Sequence, residues 1–562
     1  MIVFRGTEYT REDCRDAIDS AVARIINRKV DIVGIICRRT PELLFLMERL
    51  YEVGITFVPI DPDCPVSRRD YILRTAGVEW IIMQRGIADN LGDKHVIYID
   101  EAPAVKCIAR DYSVEGNKAA YILFTSGSTG NPKGVEISRE ALKSFFDSIG
   151  CAVDFSESKR IACLTTVMFD IFILESLYAL RTGLSIALGD EKEQTNPKAI
   201  ADLIKENNVD TVQMTPSRLQ MVLNYDETLD CMKNVRVIMV GGEALSETIL
   251  KKLQMYTDAA IYNMYGPTEA TIWCGVSNLT HKKTVDIGKA ISNAEMMILG
   301  EDLTPVSYGE TGEICVAGSV LATRYVGEEE LTSKAFVYLK GEQGKRIYKT
   351  GDMGYFLPDG CIRYVGRKYN QVKVHGYRIE LEEIEVCANG YDGIERTLAY
   401  YDAERSEGIK LYYVGEDACD VNGLTLYLES KLPHYMIPTS YYRVEKFLYT
   451  PNGKVDRKRV KECKMLAEYE APSYDTYSQI VDEIHKDVKE TVSDYLKEKV
   501  DITVEYETGL ERLGIDSLTF IKLIVFLEEK YGFMFDDDKL IVTAFPSVYD
   551  LGDYIKAKTE NA

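Results

Sequence analysis

No stretch of this sequence approaches the run of about 18 to 20 apolar residues that a membrane-crossing helix requires, so no membrane partner is expected. The first residues, MIVFRGTEYTRED, meet acidic and basic side chains too early for a secretory signal peptide, and the expected compartment is the cytoplasm. CxxC pairs are absent, and the 13 cysteines, an odd number, are scattered. That pattern argues against a zinc or disulfide framework and for small buried hydrophobes in a reducing compartment. The five histidines show no metal-ligand spacing. Positive charge is in deficit, with a net charge of −22. This disfavours nucleic acid as a partner and leaves only local cationic sites for a nucleotide. Internal repeats and low-complexity tracts are also missing.

What is present is long and ordinary in composition: 562 residues, 46% apolar, too many for one core and suited to several globular domains. From residue 20 to about 365, strand-like runs (DIVGII, ITFVPI, WIIM, HVIYI, LSIAL, VRVIMVGG, AAIYNMYG) alternate with helical stretches such as ALKSFFDSI and FDIFILESLYALRTG. The alternation predicts an α/β architecture with parallel sheet. A smaller region begins near GRKYNQVKVHGYRIELEEIE (366–385), read as a strand pair leading into a helix, and closes around LYTPNGKVDRKRV (448–460). EYEAPSYDTYS (468–478) reads as a linker. Beyond it, Ile480, Val481, Ile484, Val488, Val492, Tyr495 and Leu496 recur at helical spacing. Helices from Ser517 and from about 548 complete a small bundle.

The loop in YILFTSGSTGNPKGV (121–135) carries the first chemical signal. Thr125, Ser126, Ser128 and Thr129 offer hydroxyls, and Gly127, Gly130 and Gly134 let backbone N–H groups approach phosphate oxygens. Lys133 adds a mobile positive charge. The apolar YILF places the loop at a strand end, where α/β proteins bind phosphates. It is not a Walker loop, because Pro132 stands where the glycine before the lysine is expected. Near the C-terminus, Ser517 in LGIDSL (513–518) opens a helix after Asp516. A serine there can cap its helix and can also be reached by a modifying enzyme.

The ordered set of VGITFVPIDPDCP (53–65), the phosphate loop, NMYGPTEAT (263–271), GEICVAGSVLATRYV (312–326), YKTGDM (348–353), the 366–385 segment, LPHYMIP (432–438), NGKVDR (452–457) and LGIDSL resembles the adenylation domain of nonribosomal peptide synthetases, in the adenylate-forming superfamily, followed by a peptidyl carrier domain. The resemblance spans nearly the whole chain. It implies a large α/β core subdomain over 1–367, a small α+β C-terminal subdomain on a hinge over 368–466, a linker over 467–478 and an all-α four-helix carrier over 479–560. The implied chemistry is attack of an amino-acid carboxylate on the α-phosphate of ATP, then transfer to 4′-phosphopantetheine on Ser517.

Roles follow residue by residue from the resemblance. Lys454 bridges the substrate carboxylate and the phosphate, and Lys133 and Thr125 join it in catalysis. Glu269 holds Mg²⁺. Tyr265 stacks on adenine, with Gly266 and Thr268 beside it. Asp352 binds the ribose hydroxyls, and Arg367 and Lys373 contact ribose and phosphate. Two positions depart from the family pattern: Tyr369 stands where the hinge usually has Asp, and His375 replaces an arginine. The LPxP signature often seen before the carrier is missing from the linker.

Carried over in the same way, the amino-acid pocket comprises Asp170, Ile171, Leu174, Gln213, Met239, Gly241, Met264, Ile272 and Trp273, closed by Lys454. Asp170 is the anchor for an α-ammonium group, which argues against aryl or fatty acids. The large walls resemble the family's glycine-selecting set, and a β-carbon there forces overpacking of about 1–3 kcal/mol. Alanine is the nearest competitor. An acyl-CoA ligase and a non-catalytic carrier or docking module are the alternative readings. A stand-alone loading module is expected, served by a phosphopantetheinyl transferase and unloaded in trans by a downstream synthetase, reductase or other thioester-accepting enzyme. The sequence leaves open whether a small activating partner protein is needed.

Overall fold

The computed structural model describes residues 1–87, 91–100, 118–127, 131–339, 344–368, 371–374, 377–402, 407–415, 420–448, 457–470, 488, 491–492, 517–531, 535, 551–552, 554–555 and 558. The chain divides into two compact units, Met1–Tyr469 and Glu470–Ala562.

Two large sheets organise the first unit. In the seven-stranded sheet, strands Ala119–Thr125, Thr56–Pro59, Ile32–Ile36, Trp80–Met83 and His95–Tyr98 lie side by side and parallel. Strands Lys133–Ser138 and Arg324–Tyr325 extend its edge in antiparallel register. In the nine-stranded sheet, Ala260–Tyr265, Val237–Gly241, Thr211–Met214, Arg160–Cys163, Ser185–Leu188 and Ile2–Phe4 form a parallel centre with antiparallel edges. Central strands such as Ile32–Ile36 and Val237–Gly241 are β-branched runs buried on both faces, as a parallel sheet covered by helices requires. The α/β expectation therefore holds.

A five-stranded antiparallel sheet follows, containing Ala294–Leu299, Gly312–Gly318, Phe336–Tyr338, Arg346–Phe356 and Ile362–Arg367. The 366–385 segment then forms the expected hairpin, Gln371–Val374 with Tyr377–Glu380, and feeds helix Leu381–Ala388. A four-stranded sheet (Ile394–Asp402, Glu407–Gly415, Ser440–Val444, Met465–Glu470) packs with that helix and with Val421–Glu429. Its last strand takes in residues 467–470, which the sequence reading gave to the linker. Backbone pairing at the sheet edge outweighs their polar composition.

In the second unit, helix Ser517–Tyr531 buries Phe520, Leu523, Ile524 and Leu527, and Val488, Val492, Phe535, Leu551 and Ile555 are buried as well. Val488 and Val492 carry out the burial that their helical spacing predicts. The Phe535 ring lies tilted at 5.1 Å from that of Tyr554, and the Phe535 N–H donates to Glu528 at 2.7 Å.

Candidate active site

The phosphate-type loop is a strand connection. Strand Ala119–Thr125 runs antiparallel to Lys133–Ser138, with Thr125 paired to Lys133, so the chain turns back immediately beside its lysine. Thr125 Oγ1 is buried and has no hydrogen-bond partner among the described residues. Ser126 is buried, and its Oγ accepts the Glu380 N–H at 3.2 Å. The Gly127 N–H donates to Glu383 Oε2 at 3.0 Å, and Arg68 Nη1 donates to the other oxygen of Glu383 at 2.6 Å. A carboxylate thus already sits on an anion-binding donor of the loop. Ser128, Thr129 and Gly130 lie outside the described residues.

Lys133 meets Glu269 across this loop. Its Nζ is 3.3 Å from Glu269 Oε1 and 3.4 Å from the Tyr325 hydroxyl. Tyr325 donates to the same Glu269 oxygen at 2.7 Å, and Glu269 is fully buried. Glu269 stands in the short helical turn Thr268–Ala270, directly after strand Ala260–Tyr265 and Gly266. A side-chain carbon on Gly266 would lie 2.2 Å from the Ile272 carbonyl oxygen, so only glycine admits this fold-back. Thr271 and Ile272 adopt φ of 54° and 71°. Left-handed backbone at two β-branched residues is strained, and such strain gathers at functional sites.

A cavity of about 620 Å³ is lined among others by Met264 and Tyr265, at the end of the strand that leads to Glu269, and by Asp352, Tyr364 and Arg367. Asp352 is the anchor: Tyr265 donates its hydroxyl to Oδ2 at 2.8 Å, and Arg367 Nε donates to Oδ1 at 2.7 Å. Arg367 Nη1 is buried with no hydrogen-bond partner among the described residues, a donor available to a ligand oxygen. Burial, with Asp352 next, pushes the Tyr265 phenol well above its ordinary pKa, so it stays a donor. Lys373 lies in the strand Gln371–Val374, paired with Arg378.

Asp170, Ile171, Leu174, Gln213, Met239, Met264, Ile272 and Trp273 are all buried. Asp170 precedes, without a side-chain capping hydrogen bond, a helix that passes through a π-helical turn, Leu174–Tyr178, a distortion the sequence periodicity does not reveal and one frequent at functional sites. The turn carries Glu175, which accepts the N–H groups of Leu164 and Thr165 at 2.8 Å each. A side-chain carbon on Gly241 would fall 2.7 Å from the Trp273 ring, which shows how closely the walls approach. Trp273 Nε1 and Gln213 Oε1 are buried with no hydrogen-bond partner among the described residues.

Residues 1–326 match the AMP-binding enzyme family. The chain belongs to that family. Residues 486–555 match the phosphopantetheine attachment site family, so an adenylate-forming domain is followed by a carrier domain. The chain is 32% identical over 502 residues to the dimodular nonribosomal peptide synthase of Bacillus subtilis (strain 168), covering 87% of this chain and 20% of that protein. It therefore spans about a fifth of that relative's length. Among solved structures, holo-PA1221, a protein containing adenylation and PCP domains, matches with a TM-score of 0.72 over 99% of this chain and 94% of the other, at 20% identity. The four-domain nonribosomal peptide synthetase holo-AB3403, bound to AMP and glycine, matches at 27% identity and a TM-score of 0.59 over 98% of this chain and 41% of the other.

Lys454, Tyr369, His375 and Asp516 lie outside the described residues, and Ser517 is present as the first residue of its helix. Sequence reading missed Tyr325, Arg68 and Glu383. Tyr325 stands in the quoted ATRYV motif and pairs with the strand after the phosphate loop, which is the one signal that could have found it. Arg68 and Glu383 are 315 positions apart, and no local pattern joins them.

Proposed function

We propose that this chain activates an amino acid with ATP as an aminoacyl adenylate and loads it on its own carrier domain, and that the amino acid is glycine. The observation that carries the reading is the pairing of Lys133, at the end of the phosphate-type loop, with the fully buried Glu269; the Asp352–Arg367 pair in the wall of a cavity supports it. The ribose hydroxyls bind Asp352, and the adenine lies against Tyr265 in the cavity. The substrate carboxylate oxygen attacks the α-phosphorus, and pyrophosphate leaves. Lys454 stabilises the charge spread over five-coordinate phosphorus.

Mg²⁺ suits Glu269: this metal is held by one or two carboxylates together with substrate phosphates, and here a fully buried carboxylate stands next to the phosphate loop. Glu269 would hold the ion and Lys133 the phosphate. Phosphopantetheine, when attached at Ser517, supplies the thiol that accepts the aminoacyl group, with AMP leaving. Tethering the carrier to the activating domain raises the effective concentration of the two reactants.

Glycine is supported by the burial of the large side chains carried over as the pocket and by the lack of space for a side-chain carbon between Gly241 and the Trp273 ring. It is also supported by the 27%-identical synthetase bound to AMP and glycine. In this reading an α-ammonium pairs with Asp170, and a β-carbon has to displace the large side chains around it. A phosphopantetheinyl transferase prepares the carrier, and a separate thioester-accepting enzyme unloads it. The test is ATP–pyrophosphate exchange with each proteinogenic amino acid. Glycine-dependent exchange is expected; selective exchange with a bulkier amino acid overturns the glycine assignment, and no exchange with any overturns the activity.

A further inference from the structure

Lys133 and Tyr325 both meet the Glu269 carboxylate. The ammonium of Lys133 lies 3.3 Å from Glu269 Oε1, longer than the roughly 2.7–2.9 Å of a close charge-assisted contact. The short contact, 2.7 Å, belongs to the Tyr325 hydroxyl. Lys133 Nζ also lies 3.4 Å from that hydroxyl and 4.7 Å from the Tyr325 ring centroid. An ammonium has only donors and an ionised carboxylate only acceptors. The proton order is therefore fixed: lysine donates to the phenol oxygen, and the phenol donates to Glu269.

Tyr325 is itself held. Its strand pairs with Lys133–Ser138, with Tyr325 opposite Val135. Its N–H donates to Thr332 Oγ1 at 3.0 Å, and its ring meets Phe336 edge-on at 5.8 Å. The Glu269 carbonyl accepts the Ala322 N–H at 2.9 Å, tying the turn of Glu269 to the segment leading into Tyr325.

We propose that Tyr325 is a positioning residue: it orients the Glu269 carboxylate for a divalent cation and keeps Lys133 from closing on that carboxylate. The inference rests on the reading of Glu269 as the metal ligand. With the hydroxyl in place, the lysine is shared between a carboxylate, a phenol and a ring, and it moves readily to a phosphate. Without it, the carboxylate loses its orienting donor and the ammonium closes on the metal's oxygen. Removal of a hydrogen bond of this kind behind a metal ligand costs roughly 10- to 100-fold in metal affinity.

The experiment uses the full chain with a non-hydrolysable ATP analogue and Mn²⁺ as the probe, read by electron paramagnetic resonance. Tyr325→Phe keeps the ring that packs on Phe336 and removes only the hydroxyl. Its expected Mn²⁺ affinity in the ternary complex is about tenfold weaker than wild type. Its melting temperature and its affinity for the metal-free analogue stay close to wild type. An unchanged Mn²⁺ affinity in Y325F, with wild type binding normally, overturns the positioning role alone. A wild-type chain whose Mn²⁺ binding is indifferent to Glu269→Ala overturns the metal assignment of Glu269 and the positioning role with it.

Discussion

Replacing Glu383 with glutamine is expected to tighten ATP binding. Glu383 is fully buried and bridges Arg68, at 2.6 Å, to the Gly127 N–H, at 3.0 Å. Under the proposed function, a nucleotide phosphate needs that same N–H, so Glu383 and ATP compete for the loop. Glutamine keeps the volume and a carbonyl acceptor but loses the charge. Hydrogen bonds to charged groups contribute about 1.5–3 kcal/mol and neutral ones about 0.5–1.5 kcal/mol. The substitution therefore weakens the hold on the loop by about 1–2 kcal/mol, a factor of roughly 5–30 in an equilibrium. Displacement of a fluorescent nucleotide from the folded variant reads this directly, with ATP affinity rising by that factor. Glu383→Ala is the contrasting variant: both substitutions take the carboxylate from buried Arg68, but alanine also removes the acceptor that glutamine keeps, and the melting temperature of E383A is expected to fall clearly below that of E383Q. Equal or weaker ATP binding by a folded E383Q refutes the competition.

Trp273→Ala removes the ring that faces Gly241; it is expected to cost about 3–5 kcal/mol of stability and to admit alanine or a larger amino acid in pyrophosphate exchange. Tyr265→Phe removes a hydrogen-bond donor from Asp352, and nucleotide affinity measured by calorimetry is expected to fall about tenfold, since a hydrogen bond to a charged group is lost. Burial holds the Glu175 carboxyl above its ordinary range. The folded chain then keeps a proton that the unfolded chain releases, so stability falls as pH rises from the ordinary carboxylate value through the raised one. Glu175→Gln is expected to flatten that part of a melting-temperature profile. Burial also pushes the Cys37 and Cys163 thiols up to about 12, and both are expected to resist an alkylating reagent at pH 8 that labels exposed Cys151.

Much of the architecture is legible in the sequence because it is local. Strand Val237–Gly241, its glycines and helix Glu247–Tyr256 are readable from a β-branched run, a turn and an amphipathic repeat within twenty residues. Helix Ser517–Tyr531 is readable for the same reason. The site is partly legible, since motifs name Lys133, Glu269 and Asp352 without saying what each touches. What the sequence withholds is long-range or irregular. Tyr325 reaches Glu269 across 56 positions, and Arg68 reaches Glu383 across 315. The π-helical turn at Leu174–Tyr178 and the left-handed backbone at Thr271 and Ile272 run against local preference, so no sequence pattern announces them.

The central claim is that one chain activates glycine and captures it on Ser517. Intact-mass measurement of the pantetheinylated chain after incubation with ATP, Mg²⁺ and glycine tests it most directly, with Ser517→Ala as the control. The account predicts a glycyl adduct on the pantetheinylated protein that requires ATP and is absent from S517A. No adduct with glycine, or an adduct that persists in S517A, contradicts it.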